Sequence, residues 1–248
     1  ALKSHKPLKK RSADPRFAWQ DKAADLAASV RARAAHAGAF IVNMASTGCG
    51  KTLANARIMY GLADPEQGAR FNIALGLRTL TLQTGQALRS RLGLSEHEVA
   101  VLVGGGAVRE LFDHHNSQFA AQAHQADRSD DHSPHAFGSD LAEWMGSESL
   151  YGLDSADDHL HFAGNLPQDH VLVQWFKQHP DIKKLLSAPI LSCTIDHLIP
   201  ATESTRGGRQ IAPMLRLMSS DLVIDEPDDF APEDWYALAR LVNWAGLL

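Results

Sequence analysis

Ala45-Ser46-Thr47-Gly48-Cys49-Gly50-Lys51-Thr52 is the stretch that decides how the rest of this 248-residue chain is read. It follows the apolar run Ala39-Phe40-Ile41-Val42 and opens into Leu53-Ala54-Asn55-Ala56-Arg57-Ile58-Met59-Tyr60, a good helix former. A strand, a glycine-bearing loop and a helix are expected in that order. Gly48 and Gly50 let backbone N–H groups gather into a nest, Lys51 brings a flexible cation, and Thr52 brings a hydroxyl. All sit at a helix N-terminus, where negative charge is favoured. These are the needs of a nucleoside triphosphate with its Mg²⁺, so Ala45 to Thr52 forms the candidate ATP site, against the alternative of a glycine-rich turn.

The matching acid lies far down the chain. Leu222-Val223-Ile224 is a β-branched run ending in Asp225-Glu226-Pro227-Asp228. A buried strand that delivers a carboxylate at its C-terminal end can hold Mg²⁺ opposite a phosphate loop. Thr52 and Asp225 are then the candidate Mg²⁺ ligands, Lys51, Asp225 and Glu226 the candidate catalytic groups, and Asp228 a further ATP-site residue. Taken alone, the acidic run also reads as a turn after a strand. The two motifs together, in this order, point to an NTPase.

Composition sets the bounds. With 44% hydrophobic residues the chain can bury a substantial core, and one large domain is the simplest count. The net charge of −5 advertises no nucleic acid globally, so any such binding needs a local groove. Of two cysteines, Cys49 lies inside the phosphate loop, where a disulfide to Cys193 would jam the nucleotide site; a reducing, cytoplasmic setting is expected. No apolar run approaches the ~18 residues of a membrane helix, and no membrane partner is expected.

Outward from the loop, residues 1–15 carry five Lys or Arg and two prolines without apolar periodicity, and read as a basic linker or a nucleic-acid-touching arm. Residues 16–248 read as the domain itself. Phe17-Ala18-Trp19-Gln20 precedes a helix over Asp21 to Ala37. A second buried strand, Phe71 to Leu77, ends in Arg78-Thr79-Leu80-Thr81-Leu82-Gln83-Thr84-Gly85. There Thr81 can cap a helix, with Gln83 and Thr84 on a solvated face. Glu98 to Val103 reads as a third strand, followed by Gly104-Gly105-Gly106, either a turn or a close approach to phosphate.

From about 111 to 170 the pattern dissolves into a polar insertion. It holds eight of the chain's thirteen histidines, but without the spacing that puts metal ligands on one face. It contains no His-Asp dipeptide, and no structural metal is expected in it. Ala188 to Leu198 then gives a strand flowing into Thr194-Ile195-Asp196-His197, and Glu233 to Trp244 a final amphipathic helix.

Asp-Glu-x-Asp resembles motif II of superfamily 2 helicases, whose motif I reads Ala-x-x-Gly-x-Gly-Lys-Thr and so begins with Ala at position 45. Phe-x-Trp-Gln resembles their Q motif, which implies that Gln20 reads adenine. The fuller set, with Arg78 to Gly85, Cys193-Thr-Ile-Asp-His-Leu198 and Asp225-Glu-Pro-Asp-Asp-Phe230, is most similar to the helicase–nuclease of type I CRISPR systems, subtype I-F. The resemblance runs from Asp14 to Leu248. It implies the fold class of a RecA-like P-loop NTPase lobe: α/β, a mainly parallel sheet flanked by helices, interrupted by the polar insertion. It also implies an ATP-driven translocase on single-stranded DNA, recruited by a guide-RNA surveillance complex in antiviral defence. On that basis Arg78, Thr79, Gln83, Thr84, Gly104, Gly105, Thr194 and Asp196 are the expected nucleic-acid contacts, Asp196 also capping the next helix. Two rival readings stay open: another superfamily 2 enzyme, such as an RNA helicase or a restriction translocase, and a non-catalytic nucleotide-gated binding module.

The same family places one more strand between the phosphate-loop strand and the motif II strand. Only 23 residues follow Asp225, and they read as turn and helix. Ile41-Val42 and Val223-Ile224 thus lack their shared neighbour, with unpaired backbone groups costing ~1–3 kcal/mol each where buried. The 248 residues alone are therefore expected to fold poorly and to lack DNA-stimulated ATPase activity.

Overall fold

The computed structural model describes residues 1–46, 48–103, 179–203 and 210–248. Helix α1 is Lys6–Lys9, α2 Ala18–Ala37 and α3 Lys51–Leu62. Strand β1 is Phe71–Leu75, α4 Arg78–Leu92 and β2 Val99–Leu102. Then follow α5 at Pro180–Ser187, β3 at Ile190–Thr194, α6 at Ile211–Met218, β4 at Asp221–Ile224 and α7 at Trp235–Leu247. The strands form one sheet in the order β2-β3-β1-β4, every pair parallel. Parallel strands need crossovers and so acquire helices on both faces, which is why the strands read as continuous apolar runs.

Alternation in β1 divides the core. Phe71, Ile73 and Leu75 pack with Leu2, Leu8, Ala56, Leu88 and Leu92 on the face covered by the N-terminal arm, α3 and α4. Ala74 packs with Leu185, Leu191, Leu198, Leu217, Leu238 and Leu241 on the face covered by α5, α6 and α7. Each such large side chain contributes about 1.5–3 kcal/mol by leaving water. Helix α4 approaches β2 closely: a Cβ on Gly85 would stand 2.2 Å from Val101 Cγ2. The glycine that closes the Arg78–Gly85 string is therefore a packing requirement.

The N-terminal ends of the strands are held by two arginines. Arg216 is fully buried and donates to Asn72 Oδ1 and to the carbonyls of Phe71, Ala188 and Pro189. Burial pushes its guanidinium down to about 9. Arg70 donates to the carbonyls of Leu186 and Ala188, closing the last turn of α5. This polar lattice satisfies carbonyls that α5 and the β3 entry would otherwise leave orphaned.

Two expectations change. The apolar run Ala39-Phe40-Ile41-Val42 is not a strand here: residues 39–46 have no assigned secondary structure, and Phe40 is 81% exposed. A parallel strand needs a neighbour, and among the described residues β4 pairs only with β1. Residues 1–15, read as a linker, lie against the lobe. Leu2 pairs with Ala69 in an isolated bridge, Leu8 is buried, and His5 meets Leu92 O and Tyr60 Oη. Asp21 accepts from Arg57 and from the Ser12 N–H, tying arm, α2 and α3 through one buried ion pair. Two buried leucines in a basic run, with these polar contacts, dock it. The polar insertion at about 111–170, with its histidines, lies outside the described residues.

Candidate nucleotide site

The carboxyl edge of the sheet carries the site because α3 starts there and β4 ends there. Gly50 has φ of +77°, and a Cβ on it would meet Gln20 Nε2 at 2.6 Å, so only glycine fits both the turn and its neighbour. Lys51 and Thr52 then begin α3. Across from them, Thr52 Oγ1 lies 3.4 Å from Asp225 Oδ2, and Lys51 Nζ lies 3.8 Å from Glu226 Oε1. Asp225 is buried and Glu226 half-buried. Burial pushes both carboxyls above their usual range, and Lys51 pulls each back. Glu226 is the one non-glycine with positive φ among the described residues, at +51°. That left-handed backbone turns the chain sharply after Asp225, so neighbouring acids present separate carboxylates. Asp228 is exposed in the single turn Pro227–Asp229.

Gln20 is buried, and its Nε2 donates to Cys49 O and Gly50 O at 3.2 Å each. Its amide therefore engages the loop's own backbone. Around it Ala45 and Cys49 are half-buried, and Ser46 and Gly48 exposed; Thr47 lies outside the described residues. Sequence reasoning missed the next layer. Asn55, one turn beyond Lys51, donates from Nδ2 to Asp225 Oδ1 at 3.4 Å, and its Oδ1 accepts from Asn43 Nδ2 at 2.8 Å. The available signal was an asparagine inside a helix of good formers, where it is intrinsically disfavoured.

Of the residues expected at nucleic acid, Arg78, Thr79, Thr194 and Asp196 sit at the same edge, nearer its centre. Arg78 and Thr79 begin α4 after β1, and Thr194 ends β3, in register with Leu75 of β1. Asp196 is exposed, yet desolvation by the groups packed around its carboxyl raises it, and the nearby Arg78 charge opposes that rise. Arg78 and Asp196 thus share one neighbourhood. Arg78, Thr79 and Gln83 are half-buried, whereas Thr84 and Thr194 are buried. Thr81 does not cap α4; its hydroxyl turns back to Leu77 O. Nor does Asp196 cap the next turn, since it lies inside the single turn Ile195–His197, which has no side-chain cap. Gly104 and Gly105 lie outside the described residues. Cys49 and Cys193 are both free, and burial pushes the Cys193 thiol up to about 12. Among the described residues no His, Cys, Asp and Glu cluster could hold a metal by itself, and no helix is long and apolar enough to cross a membrane.

Fold and site together define an all-parallel α/β lobe whose carboxyl edge sets a Lys-Thr helix start against an Asp-Glu strand end. No family model matches the chain. It is 54% identical over 246 residues to the CRISPR-associated nuclease/helicase Cas3 subtype I-F/YPEST of Pseudomonas aeruginosa strain UCBPP-PA14, a match covering 99% of this chain and 21% of that protein. It is 52% identical over 248 residues to the protein of the same name from Pectobacterium atrosepticum strain SCRI 1043, covering 100% of this chain and 21% of that one. The chain thus spans about a fifth of the length of these relatives. Both names agree with the family and subtype that the motifs resemble.

Proposed function

We propose that this chain is the first RecA-like lobe of an ATP-driven superfamily 2 helicase, a piece of a CRISPR helicase–nuclease that moves along single-stranded DNA in antiviral defence. One observation carries the reading: Lys51 and Thr52 meet Asp225 and Glu226 although Thr52 and Asp225 are 173 positions apart in the chain. A turn rich in glycine and an unrelated acidic turn have no reason to converge.

The donors suit a small hard dication. Thr52 offers a hydroxyl and Asp225 a carboxylate, both oxygen ligands, and burial has left that carboxylate short of positive charge. Bound there with ATP, Mg²⁺ would neutralise charge on the β- and γ-phosphates. Lys51 is paired with Glu226, and moving its ammonium to a phosphate frees Oε1 of Glu226 to orient or deprotonate a water. Gln20, holding two carbonyls of the loop, keeps the nest facing outward, and on this reading its remaining amide oxygen is the group left for adenine. Arg78, Thr79 and Gln83 lie beside this site on the edge where open α/β sheets bind ligands, half-buried and able to contact the DNA backbone, with buried Thr194 supporting them from the end of β3.

The test uses the full-length protein. Hydrolysis of ATP should rise with single-stranded DNA and not with RNA. Lys51→Ala should lose nucleotide affinity, while Glu226→Gln should bind nucleotide and fail to turn it over. Stimulation by RNA instead would favour another superfamily 2 enzyme, and normal turnover in Glu226→Gln would remove the catalytic role.

A further inference from the structure

The segment leading into the phosphate loop has no β-ladder, and Phe40, Val42 and Met44 point outward at 81%, 66% and 89% exposure. Between them Asn43 turns inward. Its Oδ1 accepts from the Ala45 N–H at 3.2 Å, its Nδ2 donates to Asn55 Oδ1 at 2.8 Å, and Asn55 Nδ2 donates to Asp225 Oδ1 at 3.4 Å. The other oxygen of Asp225 faces the Thr52 hydroxyl. The direction of this chain is fixed by chemistry. An ionised carboxylate only accepts, so Asn55 must present its NH₂ there; its carbonyl then needs a donor, so Asn43 must present its own NH₂. The Asn43 carbonyl is left for the backbone N–H of Ala45, the first residue of the loop.

We propose that Asn55 is a positioning residue for nucleotide binding, and that with Asn43 it forms an amide relay coupling the loop entrance to the carboxylate at the end of β4. The inference rests on the ATP reading above. Asn55 is 8% exposed, so its amide competes with little water. By holding Oδ1 of Asp225, it leaves Oδ2 directed at Thr52, where a cation would sit. By holding Asn43, it makes the loop entrance respond to whatever Asp225 binds.

The experiment measures binding of a fluorescent N-methylanthraniloyl ATP by the full-length protein, in excess Mg²⁺ and in EDTA. The readout is the ratio of the two affinities, which a merely structural role would leave unchanged. Asn55→Leu, of similar volume but without the amide, should lower that ratio about tenfold, the worth of a hydrogen bond to a charged group, with affinity in EDTA unchanged. Asn43→Ala should lower it about threefold. The double variant should be no worse than Asn55→Leu, because a relay broken once is broken. Should Asn55→Leu fail to fold, Asn55→Ser and Asn43→Ala are measured in its place, each expected to lower the ratio at least about threefold. A normal ratio in variants of a wild type that binds Mg²⁺-ATP overturns the relay alone, as do additive losses in the double variant. A wild type without Mg²⁺-dependent binding overturns the ATP reading and the relay with it.

Discussion

Strand β1 and the run before the phosphate loop are both short apolar segments that lead toward the carboxyl edge of the lobe. All five residues of β1 are buried, whereas Phe40, Ile41 and Val42 stand exposed. The difference lies in neighbours. β1 pairs on both edges, with β3 and β4, so its backbone groups are satisfied and its side chains meet a helix layer on each face. β4 pairs on one edge, and its residues are at most half-buried. β2 is an edge strand too, yet nearly all buried, because α4 and α5 cover it. Apolar composition alone therefore does not make a strand; an edge to pair with and a layer to lie under do. The paired half supplies the buried core, and the loop half, held by side chains, carries the candidate nucleotide site.

That division is open to test, beginning with the largest effect. Glu226→Gln should reduce ATP turnover by about 10²-fold or more while leaving the melting temperature unchanged, measured by steady-state hydrolysis alongside calorimetry. In the paired half the pattern should invert. Ile73→Ala, at a fully buried position, should cost about 3 kcal/mol in urea unfolding without changing nucleotide affinity in the folded protein. Gly85→Ala forces a methyl into Val101 and should cost about 1–3 kcal/mol by the same assay. Val42→Ser, on the exposed run, should stay within about 0.5 kcal/mol by the same assay in the full-length protein. A cost of several kcal/mol would show the run paired there and remove the contrast with β1.

Acid titration probes the ion pair that ties the N-terminal arm, α2 and α3. Burial works against the Asp21 carboxylate, but Arg57 and the Ser12 N–H outweigh it and hold its pKa below the ordinary value. A depressed carboxylate contributes stability above its unfolded pKa, about 3.9, and loses it as pH falls through the lower folded value. Asp21→Asn should thus be less stable than wild type near neutrality, with the gap closing below about pH 4 in urea melts across pH.

What was legible in the sequence was local. The start of α3, the strands β1, β3 and β4, and the facing of Lys51 and Thr52 with Asp225 and Glu226 follow from periodicity and motif chemistry carried by short runs of residues, whereas the start of α4 at Arg78 falls earlier than a cap at Thr81 would put it. The run at 39–42 misleads because a strand is a relation between segments, and its neighbour is not written beside it. Leu2 and Leu8 hide in a charged stretch, since two isolated leucines make no period. Asn43 and Asn55 are twelve residues apart and meet only after folding, so the one hint, an asparagine inside a helix of good formers, names no partner. The Arg78–Gly85 string divides by burial: Arg78 and Gln83 are half-buried, while Thr81, Thr84 and Gly85 are buried and spell the packing of α4 on its sheet.

Glu226 holds a left-handed backbone that glycine would adopt freely and that costs a residue bearing a Cβ about 1–2 kcal/mol. If Glu226 serves turnover as proposed, stability and turnover rank glycine and glutamate at position 226 in opposite orders. A selection for heat resistance, blind to hydrolysis, would favour Glu226→Gly and in doing so would discard the carboxylate. A lineage that retains glutamate there records a demand that thermal robustness cannot explain.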